Sequence, residues 1–183
     1  MAADLVVKRN DLLPVLTVIC RDVIGPVDLS GYTALFRMVN VLNGEVKVNA
    51  SATVATDAAF TADVSTDTLT ASSHGLNDGD DVTLRSSGVL PAGLDTQTKY
   101  YVINSTASTL QLSLSLNGSA IDITGAGSGT HTLLSGKVSY EWTGTDTDTA
   151  GSYFSEIQTT FSGKTLTYPN DRQLLVEVVS GLA

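Results

Sequence analysis

Lys137-Val138-Ser139-Tyr140-Glu141-Trp142-Thr143 alternates apolar and polar side chains along its whole length. Val138, Tyr140 and Trp142 share one face of an extended chain, and Lys137, Ser139, Glu141 and Thr143 share the other. This period of two marks a half-buried strand. The same alternation groups Leu16, Val18 and Cys20; Tyr32, Ala34, Phe36 and Met38; Tyr153, Ile157 and Phe161; and Leu174, Val176 and Val178. Turn signals fall between these sets at Gly25-Pro26, Asn43-Gly44, Thr143 to Gly151, Ser162-Gly163 and Pro169-Asn170-Asp171. No window sustains helical spacing over three turns, so the chain is predicted to be all-β.

Composition agrees. The 183 residues contain 24 Thr, 19 Ser and 16 Gly, a share natural for strands joined by turns. Against 10 Lys and Arg stand 19 Asp and Glu, for a net charge of −9. That balance argues against nucleic-acid binding, which needs a basic face to replace phosphate counterions. The apolar run from Leu12 to Cys20 contains Pro14 and Thr17 and is shorter than the roughly 20 residues of a membrane helix, so no membrane insertion is expected. The first residues lack the pattern of a secretory signal, which predicts use without Sec export. A single cysteine, Cys20, cannot form an internal disulfide and reads as a small buried hydrophobe.

The middle of the chain differs from its ends. Residues 57–134 carry eight Asp against Arg85 and Lys99 alone, and have their own short strands at Thr68 to Ala71, Asp81 to Arg85, Lys99 to Ile103, Leu110 to Leu116 and Thr130 to Leu134. Along the fourth, Leu110, Leu112, Leu114 and Leu116 alternate with polar residues. This is the pattern of a compact β module inserted between a strand ending near Val54 and one resuming at Lys137. The expected division is 1–56 with 135–183, and 57–134 as the insert.

Motifs that could carry chemistry read better as structure. Ser162-Gly163-Lys164-Thr165 looks like the end of a phosphate-binding loop, but position 158 is Gln where that loop needs Gly, and Lys164 to Thr167 alternates as a strand. Asp78, Asp80 and Asp81, and the pair Asp146 and Asp148, lack EF-hand spacing and suit turns. His74 and His131 do not form a zinc set with Cys20 by local spacing, and no serine sits in a Gly-x-Ser-x-Gly elbow. No cofactor, metal or catalytic residue is therefore expected. Tyr140, Trp142, Tyr153 and Tyr168 are read as core in preference to a sugar platform.

Several ordered pieces of the two ends carry a resemblance. They are Leu13-Pro14-Val15-Leu16, Gly25 to Tyr32 leading into Ala34 to Met38, Gly136 to Trp142, Asp146 to Glu156, Gly163 to Pro169, and Leu174 to Val179. Together they resemble the N-terminal domain family of the phage upper baseplate protein (BppU-like), an Ig-like β-sandwich of virion proteins. In the middle, Asp67 to Ala71, His74-Gly75-Leu76, Gly79 to Leu84, Leu90 to Leu94, Tyr100 to Ile103 and Gly127 to Leu133 are similar to a small β module of phage tail and spike proteins. The resemblance implies an Ig-like antiparallel β-sandwich interrupted by a small β domain.

It also implies a non-enzymatic virion structural protein, assembled in the host cytoplasm and docked on other virion proteins as a homo-oligomer. An adaptor of that family is expected to continue past the sandwich. The end at Ala183 leaves room for a capsid decoration or head–tail accessory beside a baseplate or tail role. The alternative is a carbohydrate-binding adhesion module contacting host glycans, with Tyr100 and Tyr101 on the insert as candidate aromatics. For partner binding, the sequence offers an N-terminal arm, Leu5, Val6 and Val7, which is apolar and sealed to the body by no turn signal.

Overall fold

In the computed structural model, which describes residues 3–181, the period-two segments become strands and no residue is helical. In chain order the strands are β1 (Leu5–Lys8), β2 (Leu16–Ile19), β3 (Thr33–Asn40), β4 (Val46–Val54), β5 (Ala58–Asp63), β6 (Thr68–Thr70) and β7 (Asp81–Ser86). They continue as β8 (Tyr100–Ile103), β9 (Thr109–Ser113), β10 (His131–Leu134), β11 (Lys137–Tyr140), β12 (Gly151–Phe161), β13 (Lys164–Tyr168) and β14 (Leu174–Val179). Two units result. The first holds the described residues of Met1–Cys20, Gly31–Ala55 and Lys137–Ala183; the second holds Arg21–Ser30 and Thr56–Gly136. Residues 21–30, left in the sandwich by the sequence reading, thus group with the second unit.

The first unit is a β-sandwich made from one folded sheet in the order β1-β14-β12-β3-β4-β11-β2, with β13 also beside β12. The fold-over occurs along β4, whose residues from Val46 to Ala52 pair with β3 while Thr53 and Val54 pair with β11. Phe36 on β3 therefore lies against Tyr140 on β11, ring centroids 4.5 Å apart, and both meet Trp142 edge-on at 5.6 Å. Around them are buried Leu16, Val18, Met38, Val138, Tyr153, Ile157 and Val176. Each such burial is worth about 1.5–3 kcal/mol of transfer free energy, which is why alternation in the sequence translates into layers. Cys20 is fully buried.

Two expectations at the N-terminus are corrected. Leu5, Val6 and Val7 are not a free arm: they form β1, which pairs in parallel with β14, Leu5 opposite Val176 and Val7 opposite Val178. Val7 is buried, and Asp4 secures the start of the strand by pairing with Arg172 at 2.8 Å and accepting the Leu175 N–H at 2.9 Å. The resemblance puts Leu13 to Leu16 in the first strand, but that strand begins only at Leu16, since Pro14 has no N–H to give a ladder.

The second unit is a closed barrel in the order β10-β5-β6-β9-β8-β7. Closure leaves it no unpaired strand edge. Phe60, Leu69, Val82, Leu84, Tyr100, Val102, Leu110, Leu112, Ile123 and Leu133 fill the interior. The strand expected over Leu110 to Leu116 stops at Ser113, leaving Leu114 and Leu116 exposed. There the chain turns: the Ser115 N–H donates to Ser113 Oγ and the Gly118 N–H to the Ser115 carbonyl.

Candidate functional site

The register fixes which end of the sandwich carries the chain crossings. Ile19 pairs with Lys137, Val18 and Val54 both pair with Val138, and Ala52 pairs with Ala34. The four points where the chain leaves or re-enters the sandwich, at Cys20, Gly31, Ala55 and Lys137, are therefore all at one end. At the other end stand the loops 9–15, 41–45 and 141–150.

These loops present apolar tips on a fixed base. Leu13 is 70% exposed and Leu42 94%, with Leu12, Val15 and Val41 partly exposed beside them in sequence. The backbone beneath is pinned. Trp142 Nε1 donates to the Pro14 carbonyl at 2.8 Å, Thr147 Oγ1 to the Asp11 carbonyl at 2.9 Å, and the Asn10 N–H to the Thr147 carbonyl at 3.0 Å. Asp146 organises the third loop, accepting the Tyr140 hydroxyl at 2.8 Å and the Thr143 N–H at 2.6 Å. Burial first, and then the carboxylate of Asp146, push the Tyr140 phenol well above its ordinary value. Lys47 pairs with Asp148 at 2.5 Å.

The other candidates have structural employment. Ser162 and Gly163, both at positive φ, make the turn between β12 and β13, and Lys164 begins a strand. Asp78 accepts the Ser105 N–H, Asp80 the Asn77 N–H, and Asp81 binds Arg21, so the three carboxylates point to three different tasks. No group of three or more His, Cys, Asp or Glu able to hold a metal ion occurs among the described residues. His131 lies against Phe60, with Nδ1 2.9 Å from Ser86 Oγ. Tyr140, Trp142, Tyr153 and Tyr168 are all buried, as the core reading expects. Of the candidate pair on the insert, Tyr100 is buried with its hydroxyl accepting the Asp95 N–H, while Tyr101 is half-buried under the Lys99 ammonium, 4.8 Å from the ring centroid.

Sequence reasoning missed one feature. The β6–β7 and β8–β9 loops, at one end of the barrel, enclose an open depression of about 610 Å³ that includes His74, Asn77, Asp78 and Ser105. The Leu76 N–H donates to His74 Nδ1 at 3.1 Å, which leaves the proton of the neutral ring on Nε2. That Nε2–H is buried without an acceptor, a situation that costs about 1–3 kcal/mol.

Comparison with known proteins returned no matching family model, no matching curated protein and no matching solved structure.

Proposed function

We propose that the chain is a non-enzymatic structural protein of a bacteriophage virion that docks on neighbouring particle subunits through the end of its sandwich opposite the chain crossings. The reading takes its class from the ordered pieces resembling the BppU-like family. Its mechanism rests on one observation: the exposed Leu13 and Leu42 stand on loops already pinned by internal hydrogen bonds. Exposed apolar side chains on rigid supports lose little conformational entropy when covered, which is what a docking contact requires. A baseplate or tail component, or a capsid decoration or head–tail accessory, uses such a surface in the same way, and copies related by particle symmetry repeat it.

Incorporation into particles tests this. Phage carrying Leu13→Asp together with Leu42→Asp should contain at least about tenfold less of the chain per major capsid protein, measured by quantitative mass spectrometry of purified virions. The isolated variant should unfold at the wild-type temperature, since both side chains face solvent. Wild-type incorporation of the variant would remove the docking role from this end.

A further inference from the structure

We infer that the depression between the β6–β7 and β8–β9 loops binds a polyhydroxylated ligand, the adjacent hydroxyl pair of a carbohydrate. This goes beyond the docking role and does not depend on it. The depression gathers polar groups left unused by the fold. Among the described residues, the Asn77 carboxamide has no hydrogen-bond partner, and Asp78 uses Oδ1 for the Ser105 N–H while Oδ2 is unengaged. His74, nine-tenths buried, contributes the orphaned Nε2–H. The residues carrying one acceptor, one donor and one group that is both line a single concavity.

That set selects a ligand class. A phosphate or carboxylate meets the Asp78 charge, and a hard cation finds one carboxylate where calcium takes six to eight oxygen ligands, roughly. A hydroxyl both donates and accepts, so two adjacent hydroxyls can give a proton to Asp78 Oδ2 and take hydrogen bonds from Asn77 and His74. Ala107, exposed in the lining, adds carbon surface for the C–H face of a sugar ring, and the volume of about 610 Å³ is within the range of small-molecule sites. His74 lines the depression, and reaching its buried Nε2–H requires a small shift of the 71–80 loop on binding.

The experiment is an NMR titration of the full chain with methyl α-D-glucoside, methyl α-D-galactoside and N-acetyl-D-glucosamine. Tetrahydropyran, a ring without hydroxyls, is the control. At least one sugar should shift the Asn77 side-chain amide and the Asp78 and Ser105 backbone amides, and slow exchange of the His74 Nε2 proton. Asn77→Ala and Asp78→Asn, both at exposed positions, should each weaken that binding about tenfold, the loss of one good hydrogen bond, with the spectrum otherwise unchanged. Silence with all three sugars, equal shifts with tetrahydropyran, or undiminished binding by both variants would each overturn the site. None of these outcomes bears on particle incorporation, so the two proposals fail separately.

Discussion

Arg21 and Asp81, sixty positions apart, form a two-pronged pair: Arg21 Nε and Nη2 donate to Asp81 Oδ2 and Oδ1 at 3.0 and 2.7 Å. The pair is the first rung of a ladder. Residues 81, 83 and 85 lie on one face of β7, and the segment 21–30 meets all three. Thr83 Oγ1 donates to the Pro26 carbonyl at 2.6 Å, and Arg85 Nη1 donates to Asp28 Oδ2 at 2.6 Å. Gly25 fits against Thr83 and Lys99 so closely that an added Cβ would stand 3.1 Å from each. A strap with the order Arg, Gly-Pro, Asp thus matches a strand face with the order Asp, Thr, Arg.

The strap should loosen when either end rung is broken. Arg21→Ala and Asp81→Ala are expected to speed amide exchange over residues 22–28. A double-mutant cycle should give a coupling of about 0.5–1 kcal/mol, the range for a partly exposed pair of good geometry. The exchanged pair Arg21→Asp with Asp81→Arg should recover part of the protection, and high salt should weaken the wild-type pair.

Removing Asp146 should be costlier, because it strands two donors at once, the buried Tyr140 hydroxyl and the part-buried Thr143 N–H. Asp146→Ala is expected to lose about 2–4 kcal/mol in urea unfolding and Tyr140→Phe about 1 kcal/mol. The raised Tyr140 phenol adds a sign. A group held protonated in the folded state contributes stability that is whole below its unfolded value, 10.0, and is lost as pH rises above it. Tyr140→Phe should remove that part of the alkaline loss.

Asp4 predicts the opposite edge of the pH profile. The Leu175 N–H first, and Arg172 as well, hold its carboxyl below the ordinary value of 3.8, with burial opposing them. A depressed carboxyl stabilises above its unfolded value and loses that contribution as pH falls through the folded one. Asp4→Asn should therefore destabilise the pairing of β1 with β14 at neutral pH, with the gap to wild type closing below about pH 3.8. Unfolding midpoints measured across that range check it.

Asp57 has the reverse sign. Burial first, and the nearby Asp28 carboxylate next, raise its carboxyl above 3.8, against hydrogen bonds from Ser135 and Ser30. Its ionisation costs folding free energy as pH rises through the window above 3.8. Asp57→Asn keeps an oxygen for the Ser30 hydroxyl and should be more stable than wild type at neutral pH. The advantage should vanish in acid.

How far the sequence discloses this molecule depends on range. The alternation of Val138 and Tyr140, and of Tyr153 and Ile157, reports burial directly, so the sandwich strands and their aromatic core are readable locally. β1 is not, because its partner β14 lies at the far end of the chain and a parallel pair leaves no turn between its strands. β5 escaped notice because Ala58, Ala59 and Ala62 dilute the signal of Phe60. At the candidate sites, Leu12 and Leu13 open an apolar run, and only the fold turns them outward. The strap and the unused donor of His74 depend on contacts between distant segments, which no local pattern encodes.

Docking through the sandwich loops is visible in cryo-electron microscopy of purified virions. The account predicts sandwich density at a particle position where loops 9–15 and 41–45 are covered by a neighbouring subunit. Sandwich density with those loops facing solvent, or particles with no density for the chain, would contradict it.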